Sequence, residues 1–132
     1  MKRYTFDKLI RSKLPARMRK EGVILNTEIL SDENYIKQLK NKIVEEANEV
    51  VEASNIEDIK TELADVLEVI HALASANDIE MSEVENTRLK KRQVNGYFHP
   101  SCYVHYIEVE QDNSKVIEYL ENKNRPYLFV SS

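Results

Sequence analysis

The clearest pattern of apolar and polar positions lies between residues 32 and 76. Apolar side chains recur there every three or four residues in two stripes, which Asn55 separates. This spacing predicts two amphipathic α-helices, one over 32–54 and one over 56–76. Because the link is short, we expect the two helices to be antiparallel neighbours that form a hairpin. The stripes consist of Ile36, Leu39, Ile43, Ala47, Val50 and Ser54, then Ile59, Leu63, Val66, Leu67, Ile70, Leu73 and Ala74.

Shorter helices flank the predicted hairpin. Residues 7–20 have a helical pattern that either breaks near Pro15 or begins a second helix there, and Gly22 ends it. Ser82 followed by Glu85 forms a capping-box pattern, which predicts a helix to about Gln93. A short helix is also expected over 113–122, after an Asn-Ser start.

Three segments have the alternation that is typical of strands. Residues 23–30 and 103–110 alternate β-branched or aromatic residues with polar ones and could pair, and 127–130 is also strand-like. The predicted fold is therefore mainly α, with a helical-hairpin core and a small C-terminal β element. The stripes of the hairpin are wide, so we expect a homodimer or tetramer in which hairpins form a four-helix bundle.

Composition excludes several classes of function. The chain has 132 residues but only two glycines, where average usage of about 7% would give roughly nine. Phosphate-binding loops need closely spaced glycines, so a P-loop NTPase or a Rossmann enzyme is ruled out. The net charge of −4 argues against a stable nucleic-acid partner. A single cysteine and the lack of a long apolar run favour a cytoplasmic protein with no membrane partner.

The first hairpin helix places carboxylates beside its apolar stripe. A helix turns about 100° per residue, so from Ile43 the side chain of Glu46 lies about 60° away. Glu49 lies about 120° away on the same side. Glu45 lies about 160° away, and we expect it to be the most exposed of the three glutamates.

The second hairpin helix repeats this arrangement. From Leu63, the side chains of Glu62 and Asp65 lie about 100° and 160° away on one side. Four carboxylates that converge across a hairpin repel one another and call for a cation, and carboxylate oxygens favour Mg²⁺ or Mn²⁺. The alternative is a solvated acidic face, because a chain with 23 acidic residues easily contains such pairs by chance.

The carboxylate pattern resembles a known signature. Glu45-Glu46-x-x-Glu49 followed by Glu62-x-x-Asp65 is similar to the EExxE…ExxD motif of the all-α NTP pyrophosphatase superfamily, which includes MazG and phosphoribosyl-ATP pyrophosphohydrolase. Residues 4–15 (YTFDKLIRSKLP) and 63–70 (LADVLEVI) look like the opening and core of a MazG-like, phosphoribosyl-ATP-pyrophosphohydrolase-like branch. The lysine-rich segment 90–98 resembles that branch as well. The resemblance covers residues 4–98, so we expect one domain over 1–132 with 99–132 as an extra segment.

The resemblance implies a reaction and a set of site residues. The reaction is metal-dependent hydrolysis of a nucleoside triphosphate to a monophosphate and pyrophosphate, with Mg²⁺ or Mn²⁺ as cofactor. Glu46, Glu49, Glu62 and Asp65 would hold the metal, and Glu45 would be an outer or additional ligand. All five are catalytic candidates.

Cationic side chains must balance the charge of a triphosphate beside these acids. The basic segments supply five candidate substrate ligands, although cations at a helix C-terminus also stabilise the helix and most lysines are simply solvated. The candidates are Arg11, Lys13, Lys90, Lys91 and Arg92.

Three functions compete at this point. The first is a nucleotide pyrophosphohydrolase that removes non-standard nucleotides. The second is phosphoribosyl-ATP pyrophosphohydrolase of histidine biosynthesis, with the same chemistry. The third is a helical interaction protein without catalysis, which would bind no metal.

Overall fold

The computed structural model describes residues 1–122, and this part of the chain is α-helical with irregular connections. The chain divides into two compact units, Met1–Asn95 and Gly96–Ser132. Along residues 1–122, four helices belong to the first unit and one to the second. They are α1 (Leu14–Lys20), α2 (Asp32–Glu52), α3 (Ile56–Ala76), α4 (Met81–Asn95) and α5 (Ser114–Leu120).

The hairpin predicted from the apolar spacing is confirmed, since α2 and α3 pack against each other within the first unit. Each helix begins at a side-chain cap. The Ser31 hydroxyl accepts a hydrogen bond from the Asn34 N–H at 3.3 Å, and the Asn55 carbonyl oxygen accepts one from the Asp58 N–H at 2.9 Å. These caps satisfy N–H groups that the first turn leaves unpaired, which fixes where both helices start.

The face of α3 that packs on α2 differs in part from the predicted one. Val69, which the stripe omits, is buried, whereas Leu63 and Leu67 of the stripe are 53% and 51% exposed. Ala74, at the end of the stripe, is buried as expected. Val69 lies about 120° around the helix from Leu63, on the side that also holds the acidic residues. Helix α3 has apolar residues on two sides, and the predicted stripe followed only one of them. One side packs within the chain and the other is exposed.

The start of α1 settles the alternative that the sequence left open at Pro15. Helix α1 begins at Leu14 with Pro15 in its first turn, so Pro15 opens a helix and residues 7–13 are not helical. At its end Gly22 has a φ of 88°, and Val23 N–H donates to Met18 C=O at 3.0 Å. This is a Schellman-type ending, which needs a residue that tolerates positive φ.

The start of α4 differs slightly from the expected one. The Glu83 carboxylate accepts a hydrogen bond from the Glu80 N–H at 2.8 Å, directly before the helix begins at Met81. The predicted partner Glu85 instead forms an ion pair with Arg88. The cap therefore lies two residues earlier than the Ser82–Glu85 pattern suggested, because glutamate at either position can reach back by one turn.

The predicted strands at 23–30 and 103–110 are wrong, because neither segment is part of a β-ladder along residues 1–122. A strand exists only when its N–H and C=O groups pair with a neighbouring strand, and alternation alone does not supply that neighbour. The strand-like segment 127–130 lies outside the described residues. The short helix α5 is confirmed, with the Asn113 side chain accepting a hydrogen bond from the Val116 N–H.

A helix that crosses a bilayer must be long and predominantly apolar. Along the part of the chain that the structure describes, no helix combines the length and the apolar character that crossing a bilayer requires.

Candidate active site

Four carboxylates converge where α2 packs on α3. Each helix contributes one pair of acids spaced by three residues, so both members of a pair lie on one face. One oxygen from each side chain lies within 4.8 Å of the others. We call this group the acid cluster, and it consists of Glu46, Glu49, Glu62 and Asp65.

The acid cluster is partly buried, and burial leaves some of its oxygens without partners. Glu46 is 8% exposed, which is unusual for a charged residue. The Oε2 atoms of Glu46 and Glu62 are out of reach of solvent and accept no hydrogen bond. A buried carboxylate oxygen without a partner destabilises the fold unless a hydrogen-bond donor or a cation lies beside it.

Burial and neighbouring acids also raise the pKa values of two cluster residues. Burial raises the pKa of Glu46, and the neighbouring charge of Glu49 raises it further. The pKa of Glu62 is also raised, first by the adjacent Glu49 carboxyl, with which a hydrogen bond forms only when one of the two is protonated, and then by burial. Both groups therefore resist ionisation as they stand.

A divalent cation fits this arrangement. It would balance the like charges and give the two unpartnered oxygens a ligand. All four donors are hard carboxylate oxygens, which is the set that Mg²⁺ and Mn²⁺ prefer over softer ions. The cluster is thus a set of ligands that could hold a metal ion.

Glu45 is differently placed. Its carboxylate accepts hydrogen bonds from Lys42 at 3.2 Å and forms an ion pair with Lys8 at 3.1 Å. Partial burial alone would raise the pKa of Glu45, but the hydrogen bonds from Lys8 and Lys42 outweigh it, and the pKa is lowered. As predicted, the Glu45 side chain is more exposed than that of Glu46, at 27% against 10%. It lies outside the group of four.

Of the five cationic candidates, the structure brings Arg11 to the cluster. Its Nη2 donates to Asp65 Oδ1 at 2.7 Å across 54 positions of sequence. Lys13 precedes α1 and is exposed. Lys90, Lys91 and Arg92 are exposed near the C-terminal end of α4, where the helix-end explanation for their charge also applies. Lys13, Lys90 and Lys91 make no ion pair with the cluster among the described residues.

Two further lysines belong to this site. Lys42 lies 3.6 Å from Glu46, the ion pair one turn apart that its spacing predicts. Lys8 stands in the N-terminal motif but was not assigned a role from the sequence. The sequence signal for Lys8 was its position three residues before Arg11. Two cations so close in the chain can both reach the acids of the hairpin, here Glu45 and Asp65.

A helical hairpin with paired acids is the arrangement expected of an all-α pyrophosphohydrolase of the MazG-like kind, and the family comparison supports this class. The model of the phosphoribosyl-ATP pyrophosphohydrolase family matches residues 6–92, well over half of the chain. The chain belongs to this family, and it is a nucleotide pyrophosphohydrolase. Comparisons with curated proteins and with solved structures returned no match. Of the functions that the sequence left open, the family match fits the histidine-biosynthesis alternative best.

Proposed function

We propose that the protein is a divalent-metal-dependent hydrolase that converts phosphoribosyl-ATP to phosphoribosyl-AMP and pyrophosphate. The acid cluster with its two unpartnered buried oxygens is the observation that supports this chemistry. The family match supports the substrate. Mg²⁺ is the proposed cofactor, with Mn²⁺ as a substitute, and Glu46, Glu49, Glu62 and Asp65 are its proposed ligands.

The residues of the chain have distinct parts in this reaction. When bound, the metal ion would polarise the α-phosphoryl group and make a bound water more acidic. A cluster oxygen that is not a ligand accepts the proton of the attacking water. Arg11 has donors beyond the one that Asp65 takes, and they suit the phosphate oxygens of the substrate. The water oxygen bonds to the α-phosphorus, the bond from that phosphorus to the oxygen bridging the α- and β-phosphates breaks, and pyrophosphate leaves.

Removal of non-standard nucleotides uses the same chemistry, so a substrate panel separates it from the main proposal. The panel contains phosphoribosyl-ATP, the standard triphosphates and oxidised triphosphates. We expect phosphoribosyl-ATP to have the highest kcat/KM. A higher value for an oxidised or non-standard triphosphate would favour the housecleaning function. An absence of both turnover and Mg²⁺ or Mn²⁺ binding would favour a helical interaction protein.

The products test the position of attack. We expect a nucleoside monophosphate and pyrophosphate. Orthophosphate with a nucleoside diphosphate would require attack at the γ-phosphorus and would contradict the proposal. Protein with Glu62→Gln, purified in the same way, is the control, because a contaminating phosphatase would remain active in that preparation.

We also propose that the protein forms a homodimer or tetramer through its hairpins. The support is an apolar surface on both helices that the single chain leaves exposed. Val44 and Val51 on α2 are 62% and 83% exposed, and Leu63 and Leu67 on α3 are about half exposed. Isolated exposed apolar residues are ordinary, but a contiguous patch is typical of an interface. Bundling two hairpins would cover it.

Light scattering tests the assembly. Leu67→Arg should lower the molar mass toward that of one chain, because it places a charge in the proposed interface. Val94→Arg on α4 is the matched control and should leave the mass unchanged. A wild-type protein that is monomeric at micromolar concentration would contradict the proposal.

We propose further that the protein is cytoplasmic, that residues 1–95 are catalytic, and that 99–132 is an accessory segment of the same domain.

A further inference from the structure

The N-terminal segment, residues 1–13, contacts both helices of the hairpin through charged side chains. Lys8 Nζ lies 3.1 Å from Glu45 Oε1 on α2, and Arg11 Nη2 lies 2.7 Å from Asp65 Oδ1 on α3. The segment has no regular secondary structure up to residue 11. Leu9 and Ile10, between the two cations, are partly buried, so apolar packing holds the segment together with these two charged contacts.

We propose that Lys8 is a positioning residue, which holds the N-terminal segment on Glu45 so that Arg11 stays beside the acid cluster. The inference rests on the proposed function, since it gives Arg11 a phosphate to bind. It also assigns Glu45 a part that differs from metal ligation: its carboxylate is the anchor point of the segment.

The surroundings of Lys8 favour anchoring over contact with substrate. Its ammonium group is held by Glu45 and lies 5.9 Å from the centre of the Phe6 ring, within the range of a cation–π contact. Glu45 accepts from Lys42 as well, so its carboxylate is held from two sides. Because Glu45 lies outside the group of four, a metal in the cluster need not break this ion pair.

The surroundings of Arg11 are different. Its partner Asp65 belongs to the acid cluster, and its side chain is 58% exposed. A guanidinium group carries five N–H donors, of which one is used here, and its planar fork matches two phosphate oxygens. Three residues of extended chain span at most about 11 Å, so a fixed Lys8 confines Arg11 to this region. Lys8 is the anchor, and Arg11 is the group that meets the substrate.

An ion pair at the surface adds little to the stability of a fold, so a purely structural role and a positioning role predict different results. If Lys8 positions Arg11, its loss releases the segment and weakens substrate binding while the fold is kept. The chemical step, once substrate is bound, depends on the cluster and should change little.

The experiment compares Lys8→Met with two matched variants. Lys8→Arg keeps the charge and the reach, and Lys2→Met removes an exposed lysine of the same segment that has no described partner. Two measurements are made on the full chain. Backbone ¹⁵N order parameters of residues 8–13 in metal-free protein report whether the segment is held, and steady-state kinetics with phosphoribosyl-ATP and Mg²⁺ report KM and kcat separately.

Lys8→Met should lower the order parameters of residues 8–13 toward those of a flexible chain, below about 0.6. It should also raise KM about fivefold with kcat nearly unchanged, in keeping with the loss of one ion pair. Lys8→Arg should restore both quantities, and Lys2→Met should match the wild type.

The two measurements separate this inference from the proposed function. If the wild type hydrolyses no nucleotide, the proposed function fails, but the order parameters still test the anchor. Order parameters that do not change in Lys8→Met overturn the inference. A released segment with an unchanged KM overturns it as well, because Arg11 would then not depend on Lys8. Equal loss in Lys8→Arg and Lys8→Met would contradict an ion-pair anchor.

Discussion

The α2–α3 hairpin and the unit that begins at Gly96 have comparably strong sequence patterns but different outcomes. In the hairpin, apolar spacing produced two helices whose residues Leu39 and Val69 are 4% and 8% exposed. In the second unit, the alternating segment 103–110 forms no ladder with any residue up to 122, and Tyr103 and Tyr106 are 81% and 75% exposed. A helix satisfies its own backbone groups, whereas a strand depends on a neighbour elsewhere in the chain.

The same contrast locates the chemistry. The family match ends at residue 92, close to the end of the first unit at Asn95. The acid cluster and the two cations that contact it, Arg11 and Lys42, lie in that unit, as does Lys8 on the adjacent Glu45. Changes in the first unit should therefore alter turnover most, and changes after Gly96 should act mainly on assembly and solubility.

The largest effect should come from removal of the metal. We expect EDTA to abolish hydrolysis and added Mg²⁺ or Mn²⁺ to restore it, because the cluster needs a cation to bind a phosphate group beside four acids. The released pyrophosphate is the measured quantity. Undiminished turnover in EDTA would place catalysis outside the acid cluster. The first unit would then not differ from the second by holding the catalytic metal.

Single neutralisations in the cluster should come next. Glu49→Gln and Glu62→Gln should each lower kcat/KM by about 100-fold or more, because each removes a charged ligand from the site. Glu68→Gln, on an exposed part of α3, is the control and should retain turnover. Circular dichroism should show all three variants folded. A cluster variant that unfolds would indicate that the residue serves structure instead.

The fold of the hairpin was predictable because its signals are local. The caps at Ser31 and Asn55 and the spacing of three and four residues set the helix bounds. The direction that α3 faces was not predictable, since it has apolar residues on two sides and a single sequence does not tell which side meets α2. The strands failed for the reason given above, as pairing depends on residues far away in the chain.

The acids of the site were predictable and the cations less so. Glu46 was expected near the core from its angle to Ile43, and it is buried. Lys42 stands four residues before Glu46, so their ion pair also follows from helical spacing. The contacts of Lys8 and Arg11 span a long stretch of sequence and lead from an irregular segment to the helices. No periodicity predicts such a contact, because it depends on how the N-terminal segment lies on the folded hairpin.

Neutralising Glu45 or Glu46 should change the free energy of unfolding of the metal-free protein slightly and in opposite directions. The pKa of Glu46 is raised from 4.5, so its ionisation costs folding free energy at pH 7. Glu46→Gln should therefore raise the free energy of unfolding, by up to about 1 kcal/mol, with the lost Lys42 ion pair offsetting part of the gain. The pKa of Glu45 is lowered, so Glu45→Gln should have the opposite sign.

The pH dependence follows from these directions. The unfavourable contribution of Glu46 is absent below about pH 4.5 and develops as pH rises through its folded pKa. The favourable contribution of Glu45 is present above about pH 4.5 and is lost as pH falls through its folded pKa. Urea unfolding in EDTA at pH 7 and near pH 4 measures both, and we expect each variant to differ less from wild type at the lower pH. Changes of the same sign at pH 7 would contradict the different surroundings assigned to the two residues.

The smallest effect on turnover should come from the second unit. Deleting residues 111–132 removes α5 together with the apolar residues that follow it, and such a composition is atypical of a solvated tail. Val116, Ile117 and Leu120 are partly buried, so their loss should expose apolar surface in what remains of that unit. We expect a changed oligomer distribution or aggregation by light scattering, while the soluble fraction keeps metal-dependent turnover, because the cluster and its cations lie before Asn95. A soluble truncated protein of unchanged mass with no turnover would show that the second unit takes part in the chemistry.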